Sequence, residues 1–166
     1  MHLPNLTEMK EARIEAICDI NIELARKLAK KYNVKKTYMR HEDMLENSDI
    51  DAALVLTPMQ YHAKAVIDCA KAGKHIFVEK PLCVSLKDAE KIIDVVEKMG
   101  IICQVGYNRR YDPSYEACVS LFQRMKDVSL IRCHDFAHDN WLIINDIYEI
   151  ETVYESEEEK LRKLLH

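Results

Sequence analysis

The chain has 166 residues, 48% of them hydrophobic and 31% charged, with a formal net charge of -4 and an isoelectric point near 6.0. This balance is typical of a globular domain that can bury a sizeable core, and without a patch of Lys and Arg it argues against a nucleic-acid partner. No apolar run approaches the roughly 20 residues of a membrane span, and the first residues lack a signal pattern. We therefore expect a cytoplasmic protein that binds neither nucleic acid nor membrane.

The first fifty residues alternate between strand-like and helix-like patterns. Leu3 to Lys10 is too short to assign, although it is compatible with the end of a helix. Residues 13–19 predict a strand, and from Asn21 to residue 33 apolar residues recur at helical spacing. A weak strand at 37–39 and one or two helical turns at 42–46 follow.

The central part of the chain has clearer boundaries, because its helices carry recognisable caps. Gly73 is placed to end one helix in the C′ position, Ser85 and Gly100 to begin and end the next, and Asp112 with Pro113 to begin a third. The predicted elements are, in order, strand 51–57, helix 61–72, strand 75–78, helix 85–99, strand 101–105 and a helix from 112.

This alternation up to residue 126 predicts an α/β fold, with a doubly wound parallel sheet covered by helices on both faces. After residue 127 the rhythm changes to strands at 128–136 and 141–153 and a short terminal helix from 156. We therefore divide the chain into an α/β domain over residues 1–126 and a short β-rich segment over residues 127–166. The six cysteines are at least 14 residues apart, which excludes CxxC motifs and favours buried reduced thiols.

The stretch from His75 to Pro81 carries the clearest chemical signal. Residues 76–78 have the composition of a strand buried on both faces, so Glu79 and Lys80 come at its carboxyl end. Open parallel sheets bind ligands along that edge. A charged pair fixed there by a proline is a better functional candidate than the same pair in a helix.

Four segments in this order resemble one family, the NAD(P)-dependent oxidoreductases of the glucose–fructose oxidoreductase, inositol dehydrogenase and MocA type. The resemblance implies a Rossmann-type domain, an NAD cofactor, and a sugar or polyol substrate that the enzyme oxidises or reduces. The segments cover about residues 13–120 and read Ala16-Ile-Cys-Asp, Asp51-Ala-Ala-Leu-Val-Leu-Thr-Pro with His62 downstream, Gly73-Lys-His-Ile-Phe-Val-Glu-Lys-Pro-Leu, and Val105-Gly-Tyr-Asn-Arg-Arg-Tyr-Asp-Pro.

The resemblance also implies residues that bind the cofactor. Asp19 matches the acid that accepts hydrogen bonds from the adenosine ribose, which favours NAD because the 2′-phosphate of NADP would meet a carboxylate. An N-cap role for Asp19 in the following helix is equally compatible. Thr57, Pro58 and His62 match a loop that passes beside the cofactor, although a lone histidine near a helix start is more often structural.

Glu79 and Lys80 match the family's Glu-Lys-Pro signature, which brings Lys80 to the nicotinamide and the substrate hydroxyl as the catalytic group. An ammonium there can polarise the reacting oxygen and help to move its proton, provided that it is buried. Pro81 is a candidate for a cis peptide bond, which would aim Lys80 into the cleft. Asn108 and Arg109 match a loop lining the same cleft, where an arginine can bind a carboxylate or the cofactor amide.

One departure from the family pattern supports a second hypothesis, that the chain is a non-catalytic fragment truncated at both ends. The family opens with a strand and a GxGxxG turn, and the glycines at 73, 100 and 106 form no such motif. Strands 13–19 and 51–56 would flank the missing strand with unpaired edges. We expect these edges to pair with each other, with residues 128–153, or with a second copy in a homo-oligomer.

The second departure is that only a remnant of the family's substrate domain follows the sheet domain. His134 and His138, four residues apart with Asp135 between them, lie where its first strand should start. Their spacing is close to the HExxH arrangement of zinc sites. The surrounding residues predict a strand, in which residues four apart do not converge on one metal, so we expect no metal site.

Overall fold

The computed structural model describes residues 2–130 and residue 132. His2–Met125 form one compact unit, and a second unit begins at Lys126. Short 3₁₀ turns lie at Met59–Tyr61 and Asn108–Tyr111. The other elements are α1 (His2–Glu8), β1 (Ala16–Cys18), α2 (Ile22–Lys31), β2 (Lys36–Tyr38), α3 (His41–Asn47), β3 (Ala52–Val55), α4 (His62–Lys71), β4 (His75–Val78), α5 (Leu86–Met99), β5 (Cys103–Val105) and α6 (Pro113–Phe122).

The strands form two parallel sheets. β1 pairs with β2, with Ala16 opposite Lys36, and β3, β4 and β5 pair in that order, with Ala52 opposite His75. Parallel neighbours with helical crossovers confirm the predicted α/β Rossmann-type fold. Each predicted strand and helix up to residue 122 is present, although β1, β3 and β5 are shorter than the predicted strands.

Of the three pairings considered for the edges of strands 13–19 and 51–56, pairing with each other is not found, because β1 and β3 belong to different sheets and are not hydrogen-bonded to each other. Among the described residues, 128–130 form no strand, which corrects the start of the strand predicted at 128–136. The remaining predictions for the C-terminal segment, including strand 141–153, the terminal helix and the His134/His138 pair, fall outside the described residues. Pairing with a second copy stays a prediction.

The main core lies on one face of β3 and β4, against α4 and α5. Alternate strand residues point into it, and they are buried together with Val66, Cys69 and Ile92 of the helices. The opposite face is more open: Leu54 is 39% exposed and Phe77 only half-buried. Within the described residues, the prediction that residues 76–78 are buried on both faces is therefore wrong. The buried strand residues are Ala53, Val55, Ile76 and Val78.

The helix caps follow the local sequence. Gly73 has a φ of 70°, and its N–H and that of Lys74 donate to carbonyls in the last turn of α4 at 2.9 and 3.0 Å, the Schellman arrangement. The Ser85 side chain accepts from the Asp88 N–H, and the Asp112 side chain from the Ser114 N–H. All three caps confirm the predictions.

The cysteines are only partly as expected. Cys69 is buried and Cys18 half-buried, and burial raises the pKa of each thiol to about 11. Cys118 is exposed, in contrast to the prediction of buried thiols. Among the helices described, none combines the length and the apolar character that a bilayer-spanning segment requires.

Candidate cofactor edge at the carboxyl ends of β3, β4 and β5

Three of the predicted site segments converge at one edge of the larger sheet. Hydrogen bonds hold the strand ends together: the Glu79 N–H donates to the Val55 carbonyl at 3.0 Å, and the Gly106 N–H donates to the Val78 carbonyl at 2.8 Å. Parallel strands all present their carboxyl ends at the same edge. The segments that follow β3, β4 and β5 there are Thr57–Pro58, Glu79–Lys80 and Asn108–Arg109.

Glu79 is fixed by contacts on both of its carboxylate oxygens. One accepts a hydrogen bond from Nε2 of His2 at 2.8 Å, and the other accepts from the N–H of Lys80 at 3.2 Å. The His2 ring also lies edge-on against Phe77, with centroids 5.7 Å apart. Helix α1 therefore contacts this edge through His2, a residue that sequence reasoning missed because nothing local links positions 2 and 79.

Gly106 allows β5 to approach this carboxylate. A Cβ at this position would lie 3.0 Å from the Phe77 ring and 3.5 Å from Cδ of Glu79, and the first distance is shorter than an ordinary carbon–carbon contact. The sequence showed Gly106 only as the end of a strand. The need for a residue without a Cβ at position 106 comes from the Phe77 ring of the neighbouring strand β4.

Lys80 precedes a cis peptide bond to Pro81, as predicted. Its side chain is exposed, so the described residues do not supply the burial on which the proposed proton transfer depends. Thr57 and Pro58, on the neighbouring loop, are exposed as well. The loop surface beside Lys80 is open to a ligand.

His62 lies beneath this surface rather than on it. Only 2% of the residue is exposed. Nδ1 lies 2.7 Å from the carbonyl oxygen of Pro81, and Nε2 lies 2.7 Å from that of Thr57. Both ring nitrogens therefore contact the backbone, which favours the structural interpretation of this histidine over direct contact with a cofactor.

Asp19 follows β1, in the smaller sheet. Its Oδ1 accepts a hydrogen bond from the Asn21 N–H at 2.8 Å, while the N-cap of α2 is Asn21, whose side chain accepts from Leu24. The N-cap role considered for Asp19 is therefore wrong. Among the described residues, no group donates to Oδ2 of Asp19, so this oxygen of a half-buried carboxylate could accept a ribose hydroxyl.

The loop after β5 is exposed to solvent. Asn108 and Arg109 open a 3₁₀ turn and both are exposed. Tyr111, at the end of this turn, accepts a hydrogen bond from the Gln104 side-chain amide at 3.2 Å. This bond ties the turn to β5, at the same edge of the sheet as the Glu79–Lys80 segment.

A second cluster of ionisable groups joins α3 to α4. His41 donates to Asp68 at 2.8 Å, and the ammonium of Lys64 bonds to both Glu42 and Asp68. Ligand atoms of His41, Glu42 and Asp68 lie within 4.8 Å of one another, close enough to bind a metal. Because Lys64 already bridges the two carboxylates, we assign this cluster to the packing of the helices and not to the site.

Comparison with known proteins assigns residues 1–107 to the family described as "Oxidoreductase family, NAD-binding Rossmann fold". The chain is 35% identical over 116 residues to myo-inositol 2-dehydrogenase of Thermotoga maritima, which covers 70% of this chain and 35% of that protein. It is 36% identical over 115 residues to scyllo-inositol 2-dehydrogenase (NAD(+)) of Bacillus subtilis, covering 69% and 34%. The chain thus spans about a third of the length of these relatives.

Solved structures agree with this assignment. Scyllo-inositol dehydrogenase of Lactobacillus casei, in its apo form and with NAD(H) and scyllo-inositol bound, superposes with a TM-score of 0.70 at 26% identity, over 74% of this chain and 37% of that one. A probable dehydrogenase of Thermotoga maritima superposes with a TM-score of 0.69 at 34% identity, with the same coverage.

Proposed function

The chain belongs to the Gfo/Idh/MocA oxidoreductase family with an NAD-binding Rossmann fold, and from that premise we propose that it binds NAD along the strand edge described above. The observation that carries the proposal is the convergence of three loops at one edge, where the Glu79–Lys80 loop after β4 lies between the loops after β3 and β5. Ligands of open parallel sheets bind in this position. The reaction we propose is the oxidation or reduction of a sugar or polyol.

Asp19 fits the ribose end of the cofactor. Its carboxylate accepts one hydrogen bond from the described part of the chain, on Oδ1, which leaves Oδ2 for a ligand. A carboxylate accepts hydrogen bonds from two neighbouring hydroxyls but repels a phosphate. We therefore propose NAD rather than NADP as the preferred cofactor.

Lys80 is the residue we propose at the reacting centre. The Glu79 carboxylate accepts a hydrogen bond from the backbone N–H of Lys80, which orients the start of this loop. The ammonium would then donate a hydrogen bond to the oxygen of a substrate alcohol or carbonyl and take part in moving its proton. NAD, when bound, supplies the hydride acceptor. Because Lys80 is exposed, bound cofactor and substrate must complete its burial.

A polyol is the substrate class favoured by the relatives. The two dehydrogenases reported above are named for inositols, and one related structure contains scyllo-inositol. Asn108 and Arg109 add an amide and a guanidinium to this edge, and both groups can donate hydrogen bonds to hydroxyl oxygens. We propose that they contribute to binding such a substrate.

Calorimetry with NAD, NADH and NADP on the purified chain tests this proposal. Asp19→Asn keeps the acceptor for the Asn21 N–H but removes the charge, so we expect about tenfold weaker NAD binding with the fold preserved. The discrimination against NADP should also shrink. Asn21→Ala is the matched control, because it removes the cap of α2 and should lower stability by about 1 kcal/mol without affecting the ribose contact.

A second candidate function is self-association without catalysis. One support is that β1 and β3 each pair with a single neighbouring strand among the described residues. The other is that the three glycines, at positions 73, 100 and 106, are too far apart to form a GxGxxG turn. Without such a turn, few backbone N–H groups can approach a pyrophosphate. Failure of the wild-type chain to bind NAD at millimolar concentration would favour this second function.

A further inference from the structure

The contacts at the start of α1 point to a positioning role: we infer that His2 holds the Glu79 carboxylate in place and, through it, the peptide that begins the Lys80 loop. Nε2 of His2 lies 2.8 Å from one carboxylate oxygen of Glu79, and the other oxygen accepts from the Lys80 N–H at 3.2 Å. This inference rests on the proposed NAD site. It adds to that site a residue 77 positions away from Glu79 in the sequence.

Hydrogen-bond chemistry settles which group donates to the carboxylate. A carboxylate oxygen only accepts, so the His2 nitrogen that faces it is the donor. A neutral ring with its proton on Nε2 and a charged ring make the same bond, so the role of His2 does not depend on the charge of the ring. The backbone N–H of Lys80 is also a donor. The Glu79 carboxylate therefore joins two donors, one on each oxygen.

Packing restricts the same two side chains. The His2 ring lies edge-on against Phe77, with centroids 5.7 Å apart. On the side of β5, a Cβ at Gly106 would lie 3.5 Å from Cδ of Glu79, so this strand approaches the carboxylate closely. The side chains of His2 and Glu79 are only 33% and 37% exposed. The hydrogen bond from α1 thus forms between groups that already have few positions available to them.

The bond from His2 supplies what the bond within the loop does not. The Glu79 carboxylate and the Lys80 N–H belong to neighbouring residues, so their bond alone cannot fix the loop relative to another element. The bond from α1 ties the carboxylate to a second element and reduces its rotation. A ligand of the Lys80 loop then loses less conformational entropy when it binds, which is the advantage of a preorganised site.

Two substitutions separate the hydrogen bond from the ring packing. His2→Gln keeps an N–H donor at the end of the side chain but removes the ring, whereas His2→Phe keeps a ring against Phe77 but removes the donor. The Lys80 amide proton, followed by NMR without any ligand, reports on its bond to Glu79. We expect its resonance to stay near the wild-type position in His2→Gln and to move upfield in His2→Phe. Asn5→Ala, at an exposed position of α1, is the matched control and should leave the resonance unchanged.

The opposite pattern would show that the ring, and not the donor, is what matters at position 2. A wild-type resonance in His2→Phe, or an upfield shift in His2→Gln, would therefore overturn the inference. This measurement needs no cofactor, so it decides the role of His2 even if the chain does not bind NAD.

Calorimetry with NAD extends the test to the proposed site. We expect His2→Phe to bind NAD about fivefold more weakly than the wild type, the factor that corresponds to one typical hydrogen bond, and His2→Gln to bind like the wild type. In a Glu79→Ala background, His2→Phe should cause no further loss, because Glu79 transmits its effect. Unchanged affinity of His2→Phe, or an equal loss in the two backgrounds, would overturn the positioning role. Absence of NAD binding in the wild type would overturn the proposed function instead.

Discussion

Gly106 is the residue at which the packing of the site leaves least room. A Cβ there would lie 3.0 Å from the Phe77 ring and near the carboxyl carbon of Glu79. We therefore expect Gly106→Ala to displace Phe77 and lower the free energy of unfolding by about 1–3 kcal/mol, the usual cost of overpacking. Denaturant unfolding of the purified variant measures this change.

The Phe77 ring is the group that a methyl group at position 106 would meet first, and a double-mutant cycle isolates the cost of that contact. Phe77→Leu removes the ring atoms that the new methyl group would meet, so Gly106→Ala should cost clearly less in that background than in the wild type. Equal costs in the two backgrounds would show that Phe77 does not restrict position 106. Gly106→Ala should also disturb the Glu79 carboxylate, which a change in the His2 ring resonances would report.

Residue roles were predictable from the sequence where they depend on near neighbours. Gly73, Ser85 and Asp112 act as caps within a few residues of their partners, so local patterns were sufficient. Asp19 was placed correctly at the end of β1, but its cap role was wrong because Asn21, two residues on, has the better geometry. The contact of His62 with Pro81 and that of His2 with Glu79 span 19 and 77 residues, and no local pattern indicates them.

At the scale of elements, the contact between α3 and α4 is electrostatic and should depend on pH. A hydrogen bond from Lys64 lowers the pKa of Glu42 from 4.5 to about 2. Burial acts to raise the pKa of Asp68, but hydrogen bonds from Lys64 and His41 hold it below its usual 3.8. Because both folded-state pKa values are depressed, this stabilisation is present above about pH 5 and is lost as the pH falls towards 2.

Lys64→Met removes the charge that lowers the pKa values of Glu42 and Asp68, while it keeps most of the side-chain stem. We expect the variant to lose about 1 kcal/mol or less at pH 7, since Lys64 is exposed to solvent and screened. Its stability should also decline less than that of the wild type between pH 5 and pH 2. Urea unfolding across this range measures both effects, and Lys91→Met, which breaks a pair within α5, controls for loss of a surface lysine. Parallel pH curves for wild type and Lys64→Met would contradict the prediction.

The order and type of the elements were predictable because apolar periodicity changes clearly between strands and helices along this chain. The burial of each strand face was less predictable from the sequence. Residues 76–78 are uniformly apolar, which indicates burial on both faces, yet Phe77 is only half-buried and Leu54 beside it is exposed. An apolar run shows what a strand can bury, whereas the partner elements decide which face is covered.

For the whole molecule, the Rossmann-type fold was predictable, and so was a gap between strands 13–19 and 51–56, but what pairs with the two strand edges at that gap was not. The pattern identifies strands and their direction, whereas pairing depends on which strands come within hydrogen-bonding distance. The three pairs of neighbours, β1 with β2, β3 with β4 and β4 with β5, are each joined by a helix, the connection that parallel pairing requires. No such unit joins β1 directly to β3, so their pairing was a weaker expectation.

The outer edge of β3 leads to a prediction about assembly. Asp51 and Val55 accept hydrogen bonds from β4, so by alternation the N–H of Leu54 points away from β4, to an edge without a strand partner among the described residues. Such edges promote pairing with a second chain. We expect the purified chain to self-associate with increasing concentration, as sedimentation velocity would show.

Leu54→Pro removes the outward N–H without removing a hydrogen bond to β4, so it should shift the chain towards the monomer. Leu54→Ala, which shortens the side chain but keeps the N–H, is the matched control and should still associate. If both variants dissociate equally, the Leu54 side chain and not the strand edge mediates association. A wild-type chain that stays monomeric at all concentrations would contradict the edge prediction, and it would leave NAD binding as the better-supported of the two proposed functions.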